Sequence, residues 1–158
     1  IQNSVGAVPS PFDCYLLTRS IKTLSVRMKQ HNENAIAVSN YLSNHPKIEK
    51  VFFPGIDERY KEIAEKQMDG FGGMMSFILD TNIDGVKSFL KNLNIFTLAE
   101  SLGGVESLIE HPAIMTHASI DPAIREKLGI SDTLLRISVG IEDVEDLIAD
   151  LDQALSKI

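Results

Sequence analysis

The stretch Leu134-Leu135-Arg136-Ile137-Ser138-Val139 decides the fold, because its side chains alternate between two faces. The odd-numbered residues are all apolar, whereas the even-numbered ones include Arg136 and Ser138. A period of two residues is typical of a β-strand with one face against a core. An arginine in the middle of such a strand lies either at a sheet edge or towards a cleft. It could serve as a structural ion pair, or it could grip a carboxylate with two hydrogen bonds.

Short apolar segments that predict strands alternate with helical patterns on both sides of this strand. The other predicted strands are residues 48–53, 74–79, 95–98 and 105–109. The predicted helices are residues 58–68, 83–93, 121–129 and 144–158. Aspartate or proline at several helix starts is a typical N-terminal signal. The pattern predicts an α+β fold, an open sheet with helices mainly on one face.

Residues 12–45 contain neither proline nor glycine, and they follow a predicted loop at residues 1–10. Their apolar side chains recur at steps of three and four residues, which predicts one helix. At 1.5 Å per residue this helix would be ~50 Å long, longer than a small domain is wide. We therefore expect it to kink or to connect two domains. Residues 1–45 are assigned to the end of a larger domain and the connecting helix, and residues 46–158 to a C-terminal domain.

Composition excludes several classes of function. The net charge is −7, which argues against a nucleic-acid surface because phosphate contacts need clustered cations. No apolar run approaches the ~20 residues of a membrane helix, and the first residues do not resemble a secretion signal. A single cysteine, Cys14, favours a reducing compartment such as the cytoplasm. The start at Ile1 indicates a piece of a longer protein, and the four histidines lack the spacing of a helical metal site.

The glycine pair Gly103-Gly104 follows Ser101-Leu102 and could form a tight turn or approach a ligand closely. A plain connection between strands is the alternative, and the spacing does not match a phosphate-binding loop. Further along, Ser119 and His117 lack a third group that would orient them. We therefore expect no nucleophilic serine there.

Several segments, taken in order, resemble the Cys/Met-metabolism family of pyridoxal-phosphate (PLP) enzymes. These segments are residues 2–16, 22–24 with 27–28, 100–109, 112–119 and 129–143. Within the family, the opening Pro9-Ser10-Pro11-Phe12-Asp13-Cys14-Tyr15-Leu16 and the segment Met115-Thr116-His117-Ala118-Ser119 are most similar to the γ-lyases that act on cystathionine. The γ-synthases are the next most similar branch, followed by methionine γ-lyases and cystathionine β-lyases.

The resemblance implies a fold-type-I enzyme, with this chain as its small C-terminal domain after a long connecting helix. It implies PLP as the cofactor and cleavage of L-cystathionine to cysteine, 2-oxobutanoate and ammonia. The implied partners are a sulfur amino acid substrate, the N-terminal PLP domain of the same protein and the other subunits of a cytoplasmic homotetramer. Neither a nucleic acid nor a membrane is expected as a partner.

The resemblance also implies roles for individual residues. Arg136 corresponds to the arginine that binds the substrate α-carboxylate, and Ser101 with Leu102 corresponds to a loop that contacts the substrate nearby. Glu100 corresponds to the acid that selects the distal part of the substrate, and Thr116 to a polar residue close to the arginine. The lysine that holds the cofactor lies upstream in the family. We therefore expect no catalytic residue and no metal ligand in this chain, and no activity from it alone.

Two other classes of function remain open. The chain could be a non-catalytic module that binds an amino acid through Arg136, or a small self-sufficient enzyme. An independent module should not begin with ~30 residues of helix whose apolar stripe extends beyond its own core. The long helix therefore favours a part of a larger enzyme.

Overall fold

The computed structural model describes residues 2–158, with the side chains described from residue 4 onwards. This part of the chain contains seven helices and five strands, with three helices first. The helices are α1 (Gln2–Val5), α2 (Pro11–Ile21), α3 (Leu24–Ser43), α4 (Glu58–Gln67), α5 (Ile83–Asn92), α6 (Pro122–Lys127) and α7 (Val144–Leu155). The strands are β1 (Ile48–Phe52), β2 (Met74–Leu79), β3 (Thr97–Leu98), β4 (Leu108–Glu110) and β5 (Leu134–Ser138).

The strands form one five-stranded sheet in the order β1-β2-β5-β4-β3. The pairs β1–β2, β2–β5 and β4–β5 are antiparallel, and β3–β4 is parallel. The mixed helix-and-strand architecture predicted from the sequence is therefore confirmed. β5 is the central strand, so the sheet-edge alternative for Arg136 is wrong.

One face of the sheet carries the hydrophobic core. Leu135 and Ile137 of β5 are fully buried in one cluster with residues of β2, α3, α5 and α7. The C-terminal half of α3 contributes Ala35, Val38 and Leu42, all with no exposed surface. Because alternate residues of a strand point to opposite faces, Arg136 lies on the face away from these three helices. Whether the chain divides between residues 45 and 46 stays a prediction.

The long helix predicted over residues 12–45 is interrupted, which corrects the prediction. Lys22 and Thr23 separate α2 from α3. The carbonyl of Ser20 accepts from the Thr23 hydroxyl at 3.2 Å and from Nη2 of Arg27 at 3.0 Å. In a continuous helix the Ser20 carbonyl would accept from the backbone N–H of Leu24. Side chains that hydrogen-bond a helix carbonyl in this way bend helices.

Other boundaries differ from the prediction by one to three residues; for example, β3 covers Thr97–Leu98 instead of 95–98, and α7 ends at Leu155 instead of 158. Two differences are structurally informative. Residues 1–10 are predicted to form a loop, but Gln2–Val5 forms a single helical turn. The strand expected at residues 105–109 instead covers Leu108–Glu110. It starts later because Val105 accepts from the backbone of Ile141 at 2.9 Å, and the backbone N–H of Ser107 donates to the Glu142 carboxylate at 2.7 Å.

Helix α2 and the start of α3 contain no buried residue before His31. Their exposed apolar side chains form a surface that we call the α2 face. It consists of Phe12, Tyr15, Leu16, Leu17, Ile21, Leu24 and Met28. No helix within residues 2–158 is both long and apolar enough to cross a bilayer.

Candidate functional site

Arg136 lies in the middle of β5 and projects from the face opposite the helical core. Its backbone is fixed on both sides, by Ser76 of β2 and by Glu110 of β4. Nη2 of Arg136 donates to the carbonyl oxygen of Ser101 at 3.2 Å and lies 2.9 Å from Oε2 of Glu110. The side chain is 28% exposed. The guanidinium is therefore anchored at one end and accessible in part.

Glu110 is the residue that the sequence reasoning missed. Its side chain is only 2% exposed, although it is a carboxylate. Burial of a charge is costly unless an opposite charge compensates it, and Arg136 is the cation that does so. The contact between Oε2 and Nη2 is an ion pair without hydrogen-bond alignment, since Oε2 has no hydrogen-bond donor within the described residues. Arg136 thus does form a structural ion pair, as one alternative predicted, but only Nη2 of the guanidinium takes part in it.

The loop before β4 brings Ser101 to Arg136. The Ser101 hydroxyl accepts from the backbone N–H of Gly103 at 3.1 Å, which turns the loop tightly. Gly103 has a φ of 120°, and an added Cβ would lie 2.8 Å from Oγ of Ser138. The neighbouring side chains are exposed, Leu102 to 80% and Glu100 likewise. The structure records contact with Arg136 for Ser101 and not for these two neighbours.

Thr116 reaches the arginine through Glu110. Its hydroxyl lies 3.4 Å from Oε1 of Glu110, a long contact, and 2.7 Å from Nδ1 of His117. A guanidinium, a carboxylate, a hydroxyl and an imidazole therefore follow one another in a row. The role expected for Thr116 beside the arginine stays a prediction.

The loop that carries Thr116 is held by two anchors, the buried His111 and the partly buried Arg125. Nε2 of His111 donates to the carbonyl of Asp132 at 2.9 Å. Burial lowers the pKa of His111 below its ordinary value, which favours the neutral ring. Arg125 bonds the Ala113 carbonyl and pairs with the Asp132 carboxylate. The loop is thereby fixed against the turn before β5.

The loop that carries Ser101 is held at its other end by a network that we call the Glu142 clamp. The two oxygens of the Glu142 carboxylate accept from the backbone N–H and the hydroxyl of Ser107, at 2.7 and 2.9 Å. The Ser107 hydroxyl accepts in turn from the backbone N–H of Gly140 at 2.8 Å. Asn34 of α3 donates to the carbonyls of Gly140 and Glu142 at 3.0 and 2.8 Å. The clamp therefore joins α3, the end of β5 and the loop.

A cleft of about 510 Å³ lies between the same loop and α3. Arg27, His31, Met74 and Gly103 are among its lining residues, whereas Arg136 is not. The cleft is nevertheless connected to the arginine through this loop and through Ser138, which follows Arg136 by two residues on β5 and lines the cleft. In the part of the chain that the structure describes, no three His, Cys, Asp or Glu residues are grouped as metal ligands.

The comparisons with known proteins agree on one family. The family model described as Cys/Met metabolism PLP-dependent enzyme matches residues 1–156. A cystathionine gamma-lyase of Dictyostelium discoideum is 58% identical over 158 residues, which cover 99% of this chain and 41% of that protein. A cystathionine beta-lyase of Coxiella burnetii is 52% identical over 156 residues, covering 98% of this chain and 40% of that protein.

A solved structure agrees with this result. The cystathionine gamma synthase from Xanthomonas oryzae pv. oryzae in complex with cystathionine matches with a TM-score of 0.91 and 48% identity, covering 98% of this chain and 40% of that one. The chain thus spans about 40% of the length of the relatives it matches.

Proposed function

The chain belongs to the Cys/Met metabolism family of PLP-dependent enzymes, and from this premise we propose that it is the C-terminal, substrate-positioning domain of a carbon–sulfur lyase. The proposed reaction converts L-cystathionine and water to cysteine, 2-oxobutanoate and ammonia. Its support is the 58% identity to a cystathionine gamma-lyase. The relatives also include a beta-lyase and a gamma synthase, so these reactions are the alternatives.

One observation carries the proposed role of this chain, namely the one-sided anchoring of Arg136. Nη2 contacts Glu110 and Ser101, whereas Nη1 has no acceptor among the described residues and the side chain is 28% exposed. A guanidinium with a free edge can hold a carboxylate by charge-assisted hydrogen bonds. We infer that Arg136 binds the α-carboxylate of the substrate.

The Arg136 site fits an amino acid, and the groups that hold the cofactor are expected in the remainder of the protein. Several lysines of the described residues are engaged elsewhere: Lys29, Lys61 and Lys66 pair with carboxylates on their own helices, and Lys47 bonds carbonyls near the C-terminus. PLP, when bound, supplies an electron sink that stabilises a carbanion at the substrate α-carbon. Arg136 contributes orientation, because a fixed carboxylate limits rotation about the bond to the α-carbon and so selects which bond reacts.

The neighbouring residues complete the proposal. Ser101 holds the guanidinium through its carbonyl, and Leu102 and Thr116 border the substrate. Glu100, exposed on the same loop, is proposed to select the distal, amino-bearing end of cystathionine by charge.

The exposed α2 face is proposed to pack against the remainder of the same protein. The matched relatives are more than twice as long as this chain, and an apolar surface of this kind is normally covered. The further proposals of a cytoplasmic location and a homotetramer rest on the resemblance alone. Sedimentation of the full-length protein tests the tetramer.

The experiment uses the full-length protein with L-cystathionine. A γ-lyase releases cysteine and 2-oxobutanoate, a β-lyase releases homocysteine and pyruvate, and a γ-synthase forms cystathionine from cysteine and an activated homoserine. The visible absorbance of the purified protein reports bound PLP. Absence of PLP would contradict the enzyme proposal. Binding of amino acids without turnover would support the non-catalytic module.

A further inference from the structure

We infer that Glu110 is a positioning residue for substrate binding, which holds the Arg136 guanidinium at one end so that the rest of its fork can receive the substrate carboxylate. This inference rests on the proposed function and deepens it, because it assigns a role to a residue that does not itself touch the substrate. Three features of the structure support it: the register of the strands, the incomplete use of the guanidinium and the burial of the carboxylate.

The strand register fixes the two residues relative to each other. Glu110 and Arg136 are direct partners in the antiparallel pair β4–β5, and side chains of such partners lie on the same face about 5 Å apart. Ser76 pairs with Arg136 on the other side, so the backbone of Arg136 is held by two strands. The arginine therefore stands on a strand that is paired on both sides, and the anchoring carboxylate on the strand next to it.

The guanidinium is used incompletely. An arginine–carboxylate pair that serves only structure is commonly bidentate, with two parallel N–H···O bonds. Here only Nη2 lies at 2.9 Å from Oε2 of Glu110. Nε of Arg136 and Oε2 of Glu110 are both buried and both lack a hydrogen-bond partner within residues 2–158. Buried polar atoms without partners are rare in folded proteins and call for a functional explanation.

The burial of Glu110 ties the arginine to this position. A carboxylate with 2% exposure needs the cation beside it, and movement of Arg136 into solvent would leave that charge uncompensated. Glu110 therefore limits the conformations of a long side chain that would otherwise have to be ordered when the substrate binds. Less ordering on binding means a tighter complex, which is the effect of pre-organisation.

The test is a double-mutant cycle in the full-length PLP-loaded enzyme, with Glu110→Gln, Arg136→Lys and both together. Glu110→Gln keeps the shape and removes the charge. We expect it to raise KM for L-cystathionine about tenfold, within the range of coupling between contacting residues, with kcat changed less than about twofold. In the Arg136→Lys background the same change should raise KM no further, because Glu110 acts through the arginine.

Two additional measurements separate positioning from a general structural effect. Competitive inhibition by a sulfur amino acid should weaken in Glu110→Gln, whereas inhibition by its carboxamide should not. Glu110→Asp keeps the negative charge on a side chain one methylene shorter, so its affinity for the substrate should lie between those of Glu110→Gln and wild type. If Glu110→Gln does not fold, Glu110→Asp replaces it in the cycle. Glu62→Gln, at an exposed site on α4, is the matched control and should behave as wild type.

Unchanged KM in Glu110→Gln, or additive effects in the double variant, would overturn the role of Glu110. These outcomes are distinct from failure of the proposed function, which would appear as a wild-type enzyme that turns over no sulfur amino acid.

Discussion

The guanidinium of Arg136 donates to the backbone carbonyl of Ser101 over 3.2 Å. This bond joins the central strand of the sheet to the loop that precedes β4. Because the acceptor is a backbone atom, the link depends on the path of the loop and not on the serine side chain. Changes that move the loop should therefore shift the guanidinium of Arg136. Substitutions of Arg136 should remove this bond to the loop.

Arg136→Lys is the direct test of carboxylate binding. Lysine keeps the charge beside Glu110 but loses the planar fork, so we expect a loss of about 1.5–3 kcal/mol of charge-assisted binding. Steady-state kinetics of the full-length variant should show a higher KM for L-cystathionine. Arg59→Lys is the matched control, since the side chain of Arg59 on α4 is 61% exposed and pairs with Asp57, the N-cap of that helix. A KM close to wild type in Arg136→Lys would contradict the assignment.

Glu100→Ala should change substrate choice more than stability. The side chain is exposed on the loop, and surface substitutions of this kind usually alter the free energy of unfolding by less than about 0.5 kcal/mol. We expect the ratio of kcat/KM for cystathionine to kcat/KM for a smaller sulfur amino acid to fall. An unaltered ratio, with Glu62→Ala as the reference variant, would count against a selective role.

Gly140→Ala should disrupt the Glu142 clamp. An added Cβ would lie 2.5 Å from the carbonyl oxygen of Val105 and would collide with the Glu142 carboxylate. We expect destabilisation of about 2 kcal/mol or more, in the range of overpacked sites, together with weaker substrate binding because the loop shifts.

Gly129→Ala is the control for this variant. Its φ is 78° and an added Cβ meets nothing within 4 Å, so it costs only the ~1–2 kcal/mol of left-handed backbone. Thermal unfolding and KM should therefore separate the two alanine variants. Equal KM values for both would show that the clamp does not position the loop.

Asp150→Asn should make stability less dependent on pH. Burial by itself raises the pKa of Asp150, but the backbone N–H groups of Ile95, Asn94 and Phe96 donate to the carboxylate and bring its pKa below the ordinary value. The asparagine variant replaces an acceptor with an N–H₂ donor facing these groups. We expect it to lose about 1–3 kcal/mol at neutral pH.

The sign of the pH effect follows from the lowered pKa of Asp150. The contribution of the ionised carboxylate is present above the unfolded-state pKa of about 3.9, and it is lost as the pH falls through the lower folded-state pKa. The difference in thermal midpoint between wild type and Asp150→Asn should therefore shrink below about pH 4. Asp69→Asn, at an exposed position, is the control. A difference that stays constant down to acid pH would contradict this account.

Much of the sheet could be predicted because its strands carry local signals. Residues 74–79 were predicted as a strand with the bounds that the structure gives, and the alternation in 134–139 placed Arg136 on the face away from the core. Each of these segments packs one face against helices, so apolar side chains recur at every second residue of the sequence. The central position of β5 depends on pairing with distant strands and could not be read locally.

The features that were missed depend on contacts between distant residues. The break at Lys22 and Thr23 contains neither proline nor glycine and arises from side chains bonding the carbonyl of Ser20. Glu110 was overlooked because the strand was expected to end one residue earlier, so its alignment with Arg136 was not visible. An acidic residue immediately before His111-Pro112, next to an apolar strand, was the one signal that could have indicated a buried charge.

The site combines a rigid part and an adaptable part. The ion pair of Glu110 with Arg136 is built on hydrogen-bonded strands, whereas Glu100 and Leu102 extend from a loop with little packing of their own. Mutations in the loop can therefore accumulate with little change in the free energy of unfolding. The proposed binding of the α-carboxylate, which all amino acids share, is retained. On our proposal, a lyase of this architecture could drift from one sulfur amino acid to another without rebuilding its sheet.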